Sequence, residues 1–353
     1  MAKITRRNFL KTGLLGLAGA VGVTTFEHLQ QKTYAAPNAH EGHDPHMEAH
    51  GPAGFIGEVD HERNGFNPTD ILTDYDYGTV STLENGQTLR EYDFVALDKN
   101  IEVAPGIEFP AWTYNGRIPG PTIRATEGDR IRINFVNASA HPHTIHTHGI
   151  HTFEMDGVPN AGPGLIGTGE SYTYEFDAEP FGVHLYHCHA FPLARHIAKG
   201  LYGAMIIDPK EGWPHADHEL LMVMHGYDID FDDENELYAV NGIPFHYQKH
   251  PIPINVGDKV RVFLINILEF DLINSFHLHA NFFDYYPTGT SLTPSEYTDT
   301  IMQTQAQRGM LEFTYKYPGN FMFHAHNTEF AELGWTGNFN VQAEGAEEGA
   351  DHE

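Results

Sequence analysis

His187, Cys188 and His189 stand in a row in the segment LYHCHAFPLARH, and Cys188 is the single cysteine of the chain. The spacing His-x-His recurs at His146/His148, His277/His279 and His324/His326. On a β-strand, residues two apart share a face and adjacent residues take opposite faces. Each pair can therefore present two imidazoles to one metal cluster, while Cys188 points away from His187 and His189. A thiolate on one side and imidazoles on the other is a layout for passing electrons from one copper to another. Cys188, His187 and His189 are the residues that would carry that transfer.

A mononuclear copper site follows from the same parity. His143 lies three residues before His146, so on a continuous strand it faces the side that Cys188 takes. His196 follows Cys188 in a loop containing Pro192 and completes a His, His, Cys set. That trigonal set with a weak axial partner is the ligand field of a blue, type 1 copper. Leu201 stands five residues past His196, where an axial Met is expected, and Met205 is too far along. A non-coordinating axial Leu should raise the reduction potential.

Those residues need elements to hold them. The chain has 353 residues, enough for two ordinary domains with extensions. One cysteine excludes an intramolecular disulfide and leaves the thiol free for a metal. Residues 1–36 read as a twin-arginine-type export signal: Thr5-Arg6-Arg7-Asn8-Phe9-Leu10-Lys11 precedes a Gly/Ala/Leu-rich stretch too short for a comfortable membrane span. The expectation is an exported, periplasmic or extracellular protein. Residues 37–89 form a polar extension with His40, His43, His46, His50 and His61. It is expected to be disordered and weakly metal-binding, with copper gathering as its alternative role. Residues 344–353 are an acidic tail.

Between these ends the chain repeats itself. Asn115-Gly116-Arg117-Ile118-Pro119 is echoed by Asn241-Gly242-Ile243-Pro244, and Gly128-Asp129-Arg130-Ile131-Arg132-Ile133 by Gly257-Asp258-Lys259-Val260-Arg261-Val262. The histidine pairs recur in the same order. Short alternating β-branched and aromatic runs broken by Gly, Pro, Asn and Asp give an all-β reading, two tandem β-sandwiches. Domain 1 is placed at 90–209 and domain 2 at 210–343, joined near Asp208–Pro214. Asn274 falls where domain 1 has His143, and Ala325 where it has Cys188. Domain 2 therefore lacks the type 1 ligands and keeps two histidine pairs.

PHTIHTHG, YHCH with the downstream His196, and YPGNFMFHAHNTEFAELGWTGNF make the chain resemble the two-domain multicopper oxidases with type 1 copper in domain 1 only. It is similar in plan to copper nitrite reductase. The resemblance covers roughly residues 90–343 and implies two tandem cupredoxin domains of Greek-key type. It makes His143, Cys188 and His196 the type 1 ligands. His146, His148, His187, His189, His277, His279, His324 and His326 then hold a trinuclear cluster, for about four coppers per chain: one type 1, one type 2 and two type 3. The reductases have an aspartate at the place of His146 and a non-ligand after the cysteine, where this chain has His189. Reducing O2 to water takes four electrons and needs a store of them, whereas nitrite reduction takes one. The reading is thus a laccase-like oxidase of phenols or aromatic amines, with Mn(II), Fe(II) or Cu(I) as alternative donors. A copper nitrite reductase and a non-catalytic copper-binding protein remain the alternatives.

The net charge of −28 favours cationic donors over anions and makes nucleic acid an implausible partner. Asp228, Asp230, Asp232, Asp233, Glu234 and Glu236 are the densest acidic run, expected as a solvated loop, with gathering of Mn(II), Fe(II) or Cu(I) as its alternative. Asp156 and Glu329 are candidate carboxylates beside the cluster, and His141 and His151 flank it at the wrong spacing. Each domain offers four cluster histidines, and the short linker leaves little slack to join them within one chain. A ring of subunits with shared clusters is expected, and the resemblance sets its number at three.

Overall fold

The computed structural model describes residues 57–343. The signal, the tail and His40, His43, His46 and His50 lie outside the described residues. Ten strands come first: β1 (Tyr75–Asp76), β2 (Thr79–Thr82), β3 (Thr88–Ala104), β4 (Ile107–Tyr114), β5 (Thr122–Thr126), β6 (Arg130–Asn137), β7 (His146–Thr147), β8 (Ser171–Asp177), β9 (Gly182–His187) and β10 (Tyr202–Asp208). They build two sheets, β1-β5-β10-β9-β7 and β2-β3-β6-β8, with β4 paired to β3. Eleven more follow: β11 (His218–Tyr227), β12 (Leu237–Val240), β13 (Ile252–Asn255), β14 (Lys259–Asn266), β15 (Asn274–Leu278), β16 (Phe283–Pro287), β17 (Glu296–Thr298), β18 (Thr300–Gln303), β19 (Arg308–Thr314), β20 (Gly319–His324) and β21 (Thr336–Gln342). Their sheets are β12-β11-β14-β19-β16-β17 and β13-β21-β20-β15-β18. The protein is all-β, a tandem of cupredoxin sandwiches.

Alternation along the strands explains each sandwich. In β6 the residues Ile131, Ile133 and Phe135 turn inward, while Arg130 and Arg132 pair with Glu175 outside. Half-buried antiparallel strands read this way. Several strands of the second sandwich are buried on both faces, as in Val260 to Ile265 of β14, where Arg261 is the one polar side chain. The reason is a third core between the sandwiches. Val183 and Leu185 of β9 and Ile206 of β10 pack with Leu221, Val223, Phe263 and Met310 of β11, β14 and β19.

Ion pairs knit the same boundary. Arg124 of β5 reaches Asp208 at 3.0 Å and Glu219 at 2.7 Å, and Arg261 holds Glu219 at 2.7 Å and Glu312 at 2.5 Å. The linker is pinned as well, with Trp213 Nε1 donating to Asp208 at 2.7 Å.

The segment expected to be a disordered extension is ordered from residue 57. Short helices at His61–Asn64 and Pro68–Ile71 are capped by Asp60 and Asn67. Phe66 and Ile71 enter the core between the sandwiches, and Leu72 enters the core of the second. β1 and β2 then extend both sheets of the first sandwich. Sparse apolar spacing hid a strap that anchors through Phe66, Ile71 and Leu72. His61, the one described histidine of that tract, stacks edge-on to His246 at 5.2 Å.

Candidate metal centres

His143, Cys188 and His196 meet inside the first sandwich, all three buried. Cys188 Sγ lies 3.2 Å from His196 Nδ1 and 3.7 Å from His143 Nδ1, and the two imidazole nitrogens are 3.1 Å apart. The elements differ from the expected ones. His143 is not on a continuous strand with His146: it makes an isolated bridge to Ile166, and β7 starts only at His146. His196 sits on a short helix, Leu193–Ala198, begun by Pro192 rather than in a loop. Leu201 is buried, and its carbonyl accepts from the Cys188 N–H at 3.0 Å.

Three neighbours of this site carry no sequence signal. Ser139 Oγ accepts from His143 Nε2 at 2.9 Å and donates to Asp98 at 2.7 Å, which fixes the ring and aims Nδ1 at the sulfur. Trp112 covers His196 at 4.7 Å and His143 at 5.4 Å between ring centres. Asp98 is about forty residues away in the chain, so only the β3–β6 pairing brings it close. Burial pushes the Cys188 thiol up to about 11 and His143 down to about 3. The imidazole lone pairs are thus open, and a thiolate needs a cation beside it. Those are the terms on which a soft metal binds.

The eight paired histidines form two sets of four with matching geometry. His146 lies opposite His187 on β7 and β9, and His277 opposite His324 on β15 and β20. His146 centres its set, 5.1 Å from His148 and His187 and 5.0 Å from His189. His277 centres the other, 5.1 Å from His279, 5.3 Å from His324 and 5.0 Å from His326. His187 Nδ1 donates to the Cys188 carbonyl at 2.9 Å, so its Nε2 is a lone pair, and it faces His148 Nε2 at 3.0 Å. His324 repeats this with the Ala325 carbonyl at 2.7 Å and His279 Nε2 at 3.0 Å. Nitrogens placed so converge on a shared cation. His189 Nδ1 is buried with no hydrogen-bond partner. The residues fit copper.

Asp156 takes the place expected of a carboxylate beside the cluster. Its Oδ1 lies 3.0 Å from His146 Nδ1 and 3.4 Å from His151 Nε2. The second set uses the Asp299 carbonyl at 3.0 Å and Thr300 Oγ1 at 2.8 Å for His277. His141 lies against Trp112, with ring centres 4.7 Å apart and the rings tilted by 45°. Glu329 lies in the helix Thr328–Glu332, just past His326.

The second sandwich fills its type 1 position. The Ala325 N–H donates to the Trp335 carbonyl, as Cys188 does to Leu201. The Trp335 indole is fully buried and donates to Asn274 Oδ1 at 3.1 Å. Side chain for side chain, Asn274, Ala325 and an indole stand where the first sandwich has a metal pocket.

Two family models, each described as multicopper oxidase, match residues 97–212 and 215–345. A solved structure described as a multicopper oxidase is 63% identical, covering 81% of this chain and 100% of that one at a TM-score of 0.80. The chain belongs to the multicopper oxidase family. It is an oxidoreductase of a copper-binding kind. The chain is also similar to a copper-containing nitrite reductase of Neisseria meningitidis, 29% identical over 65% of this chain and 64% of that protein. The chain spans 62 to 64% of the length of three such Neisseria reductases. A copper nitrite reductase structure from Nitrosomonas europaea matches at a TM-score of 0.66 and 25% identity, over 72% of this chain and 94% of that one. Laccase-2 of Botryotinia fuckeliana is 36% identical over 35% of this chain and 21% of its own length.

Proposed function

We propose that the protein is a laccase-like oxidase that couples one-electron oxidation of phenols or aromatic amines to four-electron reduction of O2 to water. The observation that carries this reading is the pair of matched four-histidine sets, one of them joined to Cys188 by adjacent peptide bonds. A nitrite reductase needs three histidines at its second copper; here eight imidazoles stand ready. Bound copper would supply electron storage and transfer, about four ions per chain, one type 1, one type 2 and two type 3.

His143, Cys188 and His196 would hold the type 1 ion beneath Trp112, with Ser139 and Asp98 keeping the His143 ring in place. Cys188 links that site to the cluster through its own backbone to His187 and His189. A second link is the hydrogen bond from His187 Nδ1 to the Cys188 carbonyl at 2.9 Å. The Asp156 carbonyl accepts from His146 Nδ1 at 2.7 Å, which leaves Nε2 as the donor atom, and the Asp156 carboxylate lies 3.0 Å from the same nitrogen. An aromatic donor would find Phe191, 70% exposed between Cys188 and His196.

The cluster would be completed by a neighbouring subunit. β9, which carries His187 of one set, packs through its chain against β14 and β19. The other set lies on β15 and β20, in the opposite sheet of the second sandwich. Among the described residues no metal-binding group joins the two sets. His279 and His326 are exposed, and Tyr297 and Tyr317 near them are 70% and 73% exposed. A cyclic homotrimer, as the resemblance implies, would cover that face. The twin-arginine-type signal would place the enzyme outside the cytoplasm.

The test is oxygen uptake by purified, copper-loaded protein with a phenol, an aromatic amine, Mn(II), Fe(II), Cu(I), or nitrite plus a reductant. Uptake driven by the phenol or amine, with about four coppers per chain, is the expected result. Nitrite turnover with about two coppers per chain would replace this reading with a reductase.

A further inference from the structure

The acidic run after β11 is not the solvated loop its composition suggested. Asp228 is 4% exposed and Glu236 1% exposed, and the ligand oxygens of Asp228, Asp230, Asp232 and Glu236 all lie within 4.8 Å of one another. Both Asp228 oxygens accept backbone N–H groups, from Asp232 and Asp233 at 3.1 Å each, which coils the loop around that side chain. Glu236 Oε2 accepts from the Ile229 N–H at 2.6 Å. Its other oxygen, Oε1, is buried in the cluster with no hydrogen-bond partner. Buried carboxylate oxygens are ordinarily paired or coordinate a metal.

No Lys or Arg supplies that partner. Among the described residues no ion pair joins Asp228 or Glu236 to a basic side chain. Lys199 feels the field of Asp228, yet its ammonium lies over the rings of Phe231, Trp112 and Phe109, at 4.8, 5.1 and 5.6 Å. Four carboxylates with neither sulfur nor imidazole among them make a hard, all-oxygen donor set. Such a set selects calcium, magnesium or manganese over the softer metals that thiolate and imidazole prefer. Alternate spacing along the chain, at 228, 230 and 232, together with Glu236, brings four ligand oxygens of one short loop to one place.

We propose that Asp228, Asp230, Asp232 and Glu236 form a site for a hard divalent cation of the calcium class, separate from the copper centres. The ion would neutralise the buried carboxylates and fix the loop bearing Phe231, whose ring lies 6.1 Å from that of Phe109. The competing occupant is the proton: Glu236 and its neighbours would then share hydrogens and bind no metal.

The two are separated by titrating copper-loaded protein in calcium-stripped buffer with Ca2+, followed calorimetrically, with Mg2+ and Mn2+ in parallel. One saturable Ca2+ site per chain is expected, with a Kd on the order of a millimolar or tighter, as for extracellular modules. Glu236→Gln should weaken it at least about tenfold, because it removes a charge and a ligand together. Asp232→Asn changes an exposed side chain and should weaken binding without touching the core. The blue absorption of the type 1 site reports that both variants remain folded. No saturable Ca2+ uptake up to about 10 mM, or uptake unchanged in both variants, would overturn the cation site in favour of protons.

Discussion

Ser139 Oγ holds His143, and also donates to Asp98 and accepts from the His141 N–H at 3.3 Å, so its removal tests how His143 is positioned. With Ser139→Ala the His143 ring loses its Nε2 acceptor and its link to Asp98. Loss of such an outer partner typically costs 10- to 100-fold in metal affinity. A chelator competition read from the blue band should show a drop of about that size, with the trinuclear copper retained. Asp156→Ala should do the converse, lowering cluster copper and oxygen uptake while the blue band persists. Cys188→Ser removes the thiolate outright and should abolish both the band and turnover, with the histidine sets still able to take up copper.

At the scale of elements, Trp335 tells how one sandwich was specialised and the other closed. Trp335→Ala would empty the buried space that the indole fills and cost about 3 to 5 kcal/mol of stability, read by denaturant unfolding. No blue copper should appear in its place, because Asn274 and Ala325 supply no ligands.

The paired histidines were legible from strand parity, although each strand ends inside its pair, β7 at Thr147, β9 at His187, β15 at Leu278 and β20 at His324. Parity also gave the right side for His143, though the chain there is a bridge and a loop rather than a strand. The helix of His196 was not legible: six residues with no cap side chain leave no periodic trace. Nor was the strap at 57–87, whose Phe66, Ile71 and Leu72 are too few to show a period. A chain starting at residue 57 should keep full thermal stability. One starting at 84 should lose about 1.5 to 3 kcal/mol for each of these three side chains, checked by melting both truncations.

At the scale of the whole molecule, the two sandwiches are locked by an apolar core and by the Arg124, Glu219 and Arg261 ion pairs. Arg124→Ala leaves Asp208 with the Trp213 N–H and Glu219 with Arg261, and should destabilise by about 1 to 3 kcal/mol, visible as a lowered melting temperature. The locked sandwiches carry the two histidine sets on different sheets, and in the proposed oxidase the cluster would be assembled between subunits. Complementation tests that claim directly. A variant lacking His146 and His148 and another lacking His324 and His326 are dissociated, mixed in equal amounts and reassociated, and oxygen uptake is measured. Each mixed ring of three contains one interface with both sets intact, so activity should return to about a quarter of the wild-type level from two inactive parents. No recovery, with subunit exchange demonstrated independently, would contradict a cluster shared between subunits.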